Sequence, residues 1–251
     1  MIRVSHLSVG KRLLPFSLQV ESGEVLHVVG PNGSGKSTFL NALAGMIEHQ
    51  GEVYYDQTEI RHCSFERLAN YRALLSQSDR PAFNLVVAHF LALSIPSAKT
   101  HPTTLIDMTV NELADILQLS DKLHRPIHHL SGGEWQRVRL CAICLQIWPT
   151  LNPTAKLLIL DEPAAPLDIG QESMLYRLIR RVASMGLSVV MSNHDLNRTL
   201  NYADRVVLFD KGVMQQFGTP QEVLTEEQLA NVFNTQVTKA VVNQKPVLLF
   251  D

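Results

Sequence analysis

Apolar and polar positions alternate along the first thirty residues. In IRVSHLSV, FSLQV and EVLHVV this period of two predicts strands, with Gly10 and Ser22–Gly23 as the turns between them. At Gly30 the pattern becomes strand, glycine loop, helix: VLHVV, then GPNGSGKS, then TFLNALAGM. GEVYYD and RALLSQ predict two more strands, Gly51 marking the start of the first. Residues 80–150 predict mainly helix, because VVAHFLALSI and TVNELADILQL place apolar residues three and four apart. Two apolar runs, KLLILDEP and LSVVMSNHD, then flank the helical stretch ESMLYRLIRRVASM. Strands that lack polar alternation and are separated by helices predict a parallel sheet covered on both faces. RVVLFDKGVMQQF predicts a hairpin about its KG turn. TPQEVLTEEQLANVF predicts two short helices, the second opened by a Thr225–Gln228 capping box, before a final VLLFD. The expected fold class is α/β, a single unit over residues 1–251 with an inserted helical region.

A chain of 251 residues can bury about 70% or more of its unfolded surface, so a substantial core is available. Apolar residues at 45% and charged residues at 18% exclude intrinsic disorder. Lys and Arg number 22 against 24 Asp and Glu, which argues against a basic nucleic-acid footprint. No apolar run approaches the ~18–20 residues of a membrane helix. The start MIRVSHLSVGKRLLPF lacks the apolar stretch and cleavage site of a signal peptide. The expectation is a cytosolic protein that needs a partner for any work at a membrane. Cys63, Cys141 and Cys144 fit a reducing compartment. The last two form a C-x-x-C, but inside the apolar run RVRLCAICLQI they read as small core residues.

Three segments carry chemistry. Gly30 to Ser37 matches G-x-x-x-x-G-K-[ST] and lies between an apolar strand and a helix. Its glycines let backbone N–H groups wrap a phosphate chain, and the helix points its positive end at the same anion. Lys36 would reach the β- and γ-phosphates and the Ser37 hydroxyl would hold Mg²⁺. Asp161 and Glu162 end the strand LLIL; adjacent carboxylates leaving a buried strand need a cation or a wet cleft. Below a phosphate loop, Asp161 would hold Mg²⁺ and Glu162 would take the proton of the attacking water. In LSGGE, Ser131 and Glu134 have capping-box spacing, which leaves Gly132 and Gly133 unexplained. Glycines in a first helical turn cost up to about 1 kcal/mol each, and make sense where a ligand approaches the backbone.

With these segments together, the chain resembles the ATP-binding-cassette ATPases. GPNGSGKST looks like the Walker A loop, LSGGE like the signature motif and LLILDEP like Walker B. Ser76–Gln77 resembles the Q-loop, APLD ending at Asp168 the D-loop, and SNHD at 192–195 the switch motif. The motifs stand in family order and the similarity spans essentially the whole chain. The resemblance implies a RecA-like core with a mainly parallel sheet, an antiparallel β-subdomain and a helical subdomain. Residues 1–76 and 151–251 would form the first two, and about 77–150 the third. It also implies that two copies sandwich two molecules of ATP with Mg²⁺. Each site would take Gly30, Pro31, Asn32, Gly33, Ser34, Gly35, Lys36, Ser37 and Thr38 from one copy. Ser131, Gly132 and Gly133 would come from the other. Glu162, His194 and Gln77 would be catalytic, and Ser37, Gln77 and Asp161 would hold the metal.

Two segments depart from the family pattern. No aromatic stands near Val9–Gly10 to stack on adenine, and Phe16 is expected to face inward, so weak base selectivity follows. Ala165 and Pro166 stand in the D-loop where Ser and Ala are frequent. No heptad series separates the nucleotide motifs, unlike the chromosome-structure branch, and only one cassette is present, unlike the translation-factor branch. The chain also has too little sequence after about position 219 for the added C-terminal domain of sugar importers. LSGGEWQRVRL and the long connector QIWPTLNPTAK resemble the ATPase subunits of bacterial cobalamin importers. Ferric-siderophore and haem importers are the alternatives, and a non-transport ATPase is a more distant one. The implied partners are a second ATPase subunit, two transmembrane permease subunits and, indirectly, a periplasmic binding protein, with no nucleic acid. The implied location is the cytoplasmic face of the bacterial inner membrane, with residues between Arg80 and Ser94 as the docking surface.

Overall fold

Two of the alternating N-terminal segments, IRVSHLSV and FSLQV, pair in an antiparallel sheet in the computed structural model, which describes residues 1–76, 80–96 and 101–251. Strands β1 (Ile2–Val9) and β2 (Leu13–Val20) form a hairpin, and β4 (Gln50–Tyr55) and β5 (Thr58–Glu59) extend it in the order β2-β1-β4-β5. The unalternating runs form the second sheet, joined by VLHVV, which departs from the alternation expected of it because His27 is buried with its apolar neighbours. Here β3 (Val25–Val29), β6 (Arg72–Leu75), β7 (Leu157–Leu160), β8 (Ser188–Ser192) and β9 (Arg205–Asp210) are all parallel. Strand β10 (Val213–Gly218) adds an antiparallel edge, giving the order β10-β9-β3-β8-β7-β6. Every residue of β3, β7 and β8 is buried, as expected for strands covered on both faces.

Helix α1 (Lys36–Leu43) follows β3 and packs with the antiparallel sheet on one face of the parallel sheet. Phe16 sits there in edge-on contact with Phe39 at 5.4 Å and Phe209 at 5.2 Å, so it faces inward as the alternation predicts. The short α2 (Phe65–Tyr71) leads into β6. Helices α3 (Val87–Ala92), α4 (Thr103–Leu117) and α5 (Gly132–Ile147) make up the helical region. Helix α6 (Ile169–Ser184) joins β7 to β8. Leu113, Leu117 and Val138 of the helical region share one apolar cluster with Leu158 and Leu160 of the sheet. The Arg137 guanidinium donates to the carbonyls of Leu117 at 2.7 Å and Gln118 at 3.0 Å, a cation at the C-terminus of α4 where the helix dipole favours it. Cys141 and Cys144 are fully buried in α5, and burial pushes the Cys141 thiol up to about 12. They are inert core residues.

Helices α7 (Leu196–Tyr202), α8 (Pro220–Val223) and α9 (Glu226–Phe233) cover the far end of the sheet. Two expectations change here. The Thr225 hydroxyl accepts the Gln228 N–H at 3.4 Å, but the Gln228 side chain turns to Gln216, so only half of that box forms. The reciprocal box opens α8 instead, between Thr219 and Glu222. The final VLLF belongs to β12 (Lys245–Phe250), which pairs with an unpredicted β11 (Val237–Val242). Their turn uses Asn243 and Gln244, both at positive φ, in place of the glycine that marks such turns.

His27 of β3 is fully buried, with Nδ1 3.0 Å from the Thr199 hydroxyl. Burial, with the Arg180 charge adding to it, lowers its pKa to about 3. The unfolded chain would therefore take up a proton below about pH 6.5 that the folded chain refuses, and folding loses stability as pH falls from there to about 3. Comparing wild type with His27→Phe by chemical denaturation, the stability difference is expected to be flat above pH 7. Below pH 6 the advantage of the wild type should shrink by about 1.4 kcal/mol per pH unit. An unchanged difference down to pH 4 would contradict this.

Candidate functional site

The site lies where the parallel strands end. Strand β3 stops at Val29 and Gly30 follows at φ 147°, where a Cβ would collide with the Phe209 carbonyl of β9. Gly35, at φ 108°, is the N-cap of α1. The loop between them turns tightly and presents its backbone to a cleft of about 540 Å³. That cleft brings together Asn32, Gly33, Gly35, Lys36, Ser37 and Thr38 with Glu162. Pro31 and Ser34 line an adjoining hollow beside Asp210. The Lys36 ammonium donates to the carbonyls of Gly30 at 2.8 Å and Pro31 at 3.0 Å. Burial lowers its pKa, opposed first by Glu162 and then by Asp161.

Strand β7 delivers Asp161 and Glu162, and the neighbouring β8 delivers Ser192 and His194. One hydroxyl ties the two strand ends together. Ser192 Oγ donates to Asp161 Oδ1 at 2.6 Å and accepts the Glu162 N–H at 2.8 Å. Glu162 is held at φ 48°, a conformation that costs a non-glycine residue of order 1 kcal/mol or more and marks functional turns. Its Oε1 lies 2.6 Å from His194 Nε2. The Glu162 side chain thus lines the cleft with its carboxylate held by His194 and its backbone N–H held by Ser192. Asn193, between Ser192 and His194, is buried and donates to the Tyr176 hydroxyl at 3.0 Å.

Ser131 caps α5 as the spacing predicts: its Oγ accepts the Glu134 N–H at 3.2 Å and its own N–H donates to Glu134 Oε2 at 2.8 Å. Ser131, Gly132 and Gly133 do not line the Lys36 cleft. A Cβ at Gly132 would meet nothing within 4 Å, so the space before that backbone is open, while at Gly133 it would meet the Gln171 side chain of α6. Gln77 lies outside the described residues. Sequence reading did not assign a role to Ser192, although it stands in the same SNHD segment as His194. It also left out Lys11, Arg12 and Lys211, which join the cleft lining and add positive charge to it. Their signal was two basic residues after the Gly10 turn and one in the KG turn. No aromatic ring lines the cleft among the described residues, Phe16 being buried.

A phosphate-type loop at the carboxyl end of a parallel sheet, facing an Asp-Glu pair, belongs to many nucleotide-binding proteins. The ABC transporter family model matches residues 13–165, which include the loop, the signature segment and the acidic pair. The chain belongs to the ABC transporter family. It is 55% identical over 251 residues to the vitamin B12 import ATP-binding protein BtuD of Vibrio atlanticus (strain LGP32), covering 100% of both chains. It is 53% identical to the protein of that name from Vibrio cholerae serotype O1 (strain M66-2), again covering 100% of both. The solved ATP-binding subunit of an ABC transporter shares the fold at a TM-score of 0.78 and 22% identity, covering 92% of this chain and 94% of that one. Among ABC proteins, the parallel core, antiparallel sheet and helical region seen here are the expected architecture, and the α/β assignment holds.

Proposed function

We propose that this ABC protein binds and hydrolyses ATP with Mg²⁺ and so drives vitamin B12 uptake through separate permease subunits. The observation that carries the chemistry is Glu162, which lines the Lys36 cleft and is bonded to His194 at 2.6 Å. The substrate assignment rests on relatives that carry the vitamin B12 import name and match over their whole length.

In this reading the backbone N–H groups from Gly30 to Thr38 hold the phosphates. Lys36 leaves the Gly30 and Pro31 carbonyls to face them. Asp161 and Ser37 offer hard oxygen donors of the kind Mg²⁺ prefers, and Gln77 completes the set. The ion would supply charge neutralisation on the phosphate oxygens. Glu162 accepts the proton of the attacking water, and His194 holds that carboxylate and contacts the γ-phosphate. Ser192 keeps Asp161 and Glu162 in fixed relation, because one hydroxyl holds the Asp161 carboxylate and the Glu162 backbone N–H.

The separation of Ser131–Gly133 from the Lys36 cleft supports a homodimer in which each signature loop completes the partner's site. Two such subunits would sit on the cytoplasmic face of the bacterial inner membrane beneath two permease subunits fed by a periplasmic binding protein. Phe83 and Leu93, 60% and 72% exposed, lie in the proposed docking segment, while Val87 and Leu91 between them are buried. Val87 and Leu91 thus anchor α3 to the core, and the exposed apolar residues stand at its two flanks.

The test is uptake of labelled vitamin B12 by cells lacking the gene, alongside ferric-siderophore and haem uptake. Loss of vitamin B12 uptake alone is expected. Normal vitamin B12 uptake with a defect in one of the others would overturn the substrate and leave the ATPase chemistry standing.

A further inference from the structure

Trp135 follows the LSGGE segment directly and is only 7% exposed. Its indole is flanked by side chains from distant parts of the chain. Phe90 of α3 packs against it with ring centroids 5.0 Å apart. The Arg80 guanidinium stands 5.8 Å from its ring centroid, within cation–π range. The same guanidinium donates to the carbonyls of Leu130 at 2.6 Å, Ser131 at 3.2 Å and His128 at 3.3 Å. A planar fork of donors can serve several carbonyls and lie against a ring, whereas an ammonium group has neither the plane nor the fork. These carbonyls form the backbone that presents Ser131, Gly132 and Gly133.

Helix stability does not account for this placement. A cation beside the N-terminus of α5 opposes the helix dipole, and Lys122 already adds a second cation 3.5 Å from the capping Glu134. The segment leaving β6 is also tied to α5 further along, where the Arg139 guanidinium donates to the Ser76 carbonyl. Side chains thus link the end of β6, the loop before α5, and α3, although these are far apart in sequence.

We propose that Arg80 is a positioning residue: braced on Trp135, it sets the place of the Ser131–Gly133 loop and transmits displacement of α3 to it. The inference rests on the ATPase reading above. In the proposed dimer a misplaced loop impairs the partner's site, while first binding of nucleotide at Lys36 is untouched.

ATP hydrolysis by the full-length chain is measured against ATP concentration, and binding of a fluorescent ATP analogue is measured separately. Arg80→Ala is expected to raise the ATP concentration for half-maximal hydrolysis roughly tenfold. The Hill coefficient should fall towards one, with analogue binding unchanged. Arg80→Lys should behave like Arg80→Ala, because positive charge alone does not restore the fork. Phe90→Leu reaches the same indole without touching the loop and should shift the half-maximal concentration in the same direction, by roughly threefold. It serves as the independent variant if Arg80→Ala does not fold. Wild-type kinetics in Arg80→Ala, full rescue by Arg80→Lys, loss of analogue binding by a folded Arg80→Ala, or wild-type kinetics in Phe90→Leu would each overturn the inference. A wild-type chain that hydrolyses no ATP would instead overturn the reading beneath it.

Discussion

Glu162→Gln is expected to lower steady-state ATP hydrolysis at least about a hundredfold while nucleotide binding survives. The amide keeps the size of the carboxylate, and its oxygen can still accept from His194, which lies 2.6 Å from Glu162 Oε1. The Ser192 bond to the backbone N–H of residue 162 is untouched by the change, so the turn at φ 48° persists. What the amide lacks is the ability to take a proton from water. An ATP-bound dimer should therefore accumulate, visible as a shift in elution on gel filtration with ATP and Mg²⁺. Single-turnover hydrolysis near the wild-type rate would remove Glu162 from the base role. A variant that neither binds nucleotide nor folds is controlled for by Ser192→Ala, which frees the Asp161 carboxylate and the Glu162 backbone N–H without removing either acidic residue. That variant should lose activity less steeply and keep nucleotide binding.

The parts of the site that could be read from sequence are those where one chemical demand fixes several adjacent residues. Gly30 had to be glycine because the Phe209 carbonyl occupies the space of a Cβ, and Lys36 and Ser37 follow it at fixed spacing. The core strands LLIL and SVVMS were equally legible, since they show no polar alternation and are buried throughout. VLHVV has the look of an alternating strand, although its polar His27 is buried too. The inward turn of Phe16 followed from simple alternation, and with it the lack of a stacking ring in the cleft.

What could not be read depends on contacts between residues distant in sequence. Ser192 gains its role only because β7 and β8 lie side by side, so that its hydroxyl falls between Asp161 and the Glu162 N–H. Nothing near Arg80 in sequence announces the carbonyls of Leu130 and Ser131 as its partners. The segment LSGGEWQRVRL likewise gives no sign that the Trp135 ring meets Phe90 and Arg80. The β11–β12 hairpin escaped for a local reason. Asn243 and Gln244 adopt positive φ without glycine, and β11 is half exposed, so neither turn nor strand gave a clear signal. The Thr225 box failed because Gln228 found a competing partner in Gln216 of β10, a contact that spacing within the helix does not set.

Mixing Lys36→Ala subunits with Ser131→Arg subunits is expected to restore hydrolysis that neither variant has alone. Lys36→Ala removes a buried cation from the cleft, and so weakens nucleotide binding in the site built on that subunit. Ser131→Arg leaves that subunit's own cleft intact, because Ser131 does not line it. It removes the cap of α5 at a cost of about 1 kcal/mol and fills the open space before Gly132 with a long side chain. If each site takes its phosphate loop from one subunit and its signature loop from the other, a mixed dimer concentrates both lesions in one site. The other site then has wild-type Lys36 and wild-type Ser131. With random pairing, half the dimers are mixed and each holds one sound site, so roughly a quarter of wild-type activity should return if the sites fire independently. A far smaller recovery with clear nucleotide-dependent dimerisation would mean that both sites must be intact for either to turn over. No recovery at all, with hydrolysis proportional to the wild-type subunit added back and no change in mass on ATP binding, would show that each chain completes its own site.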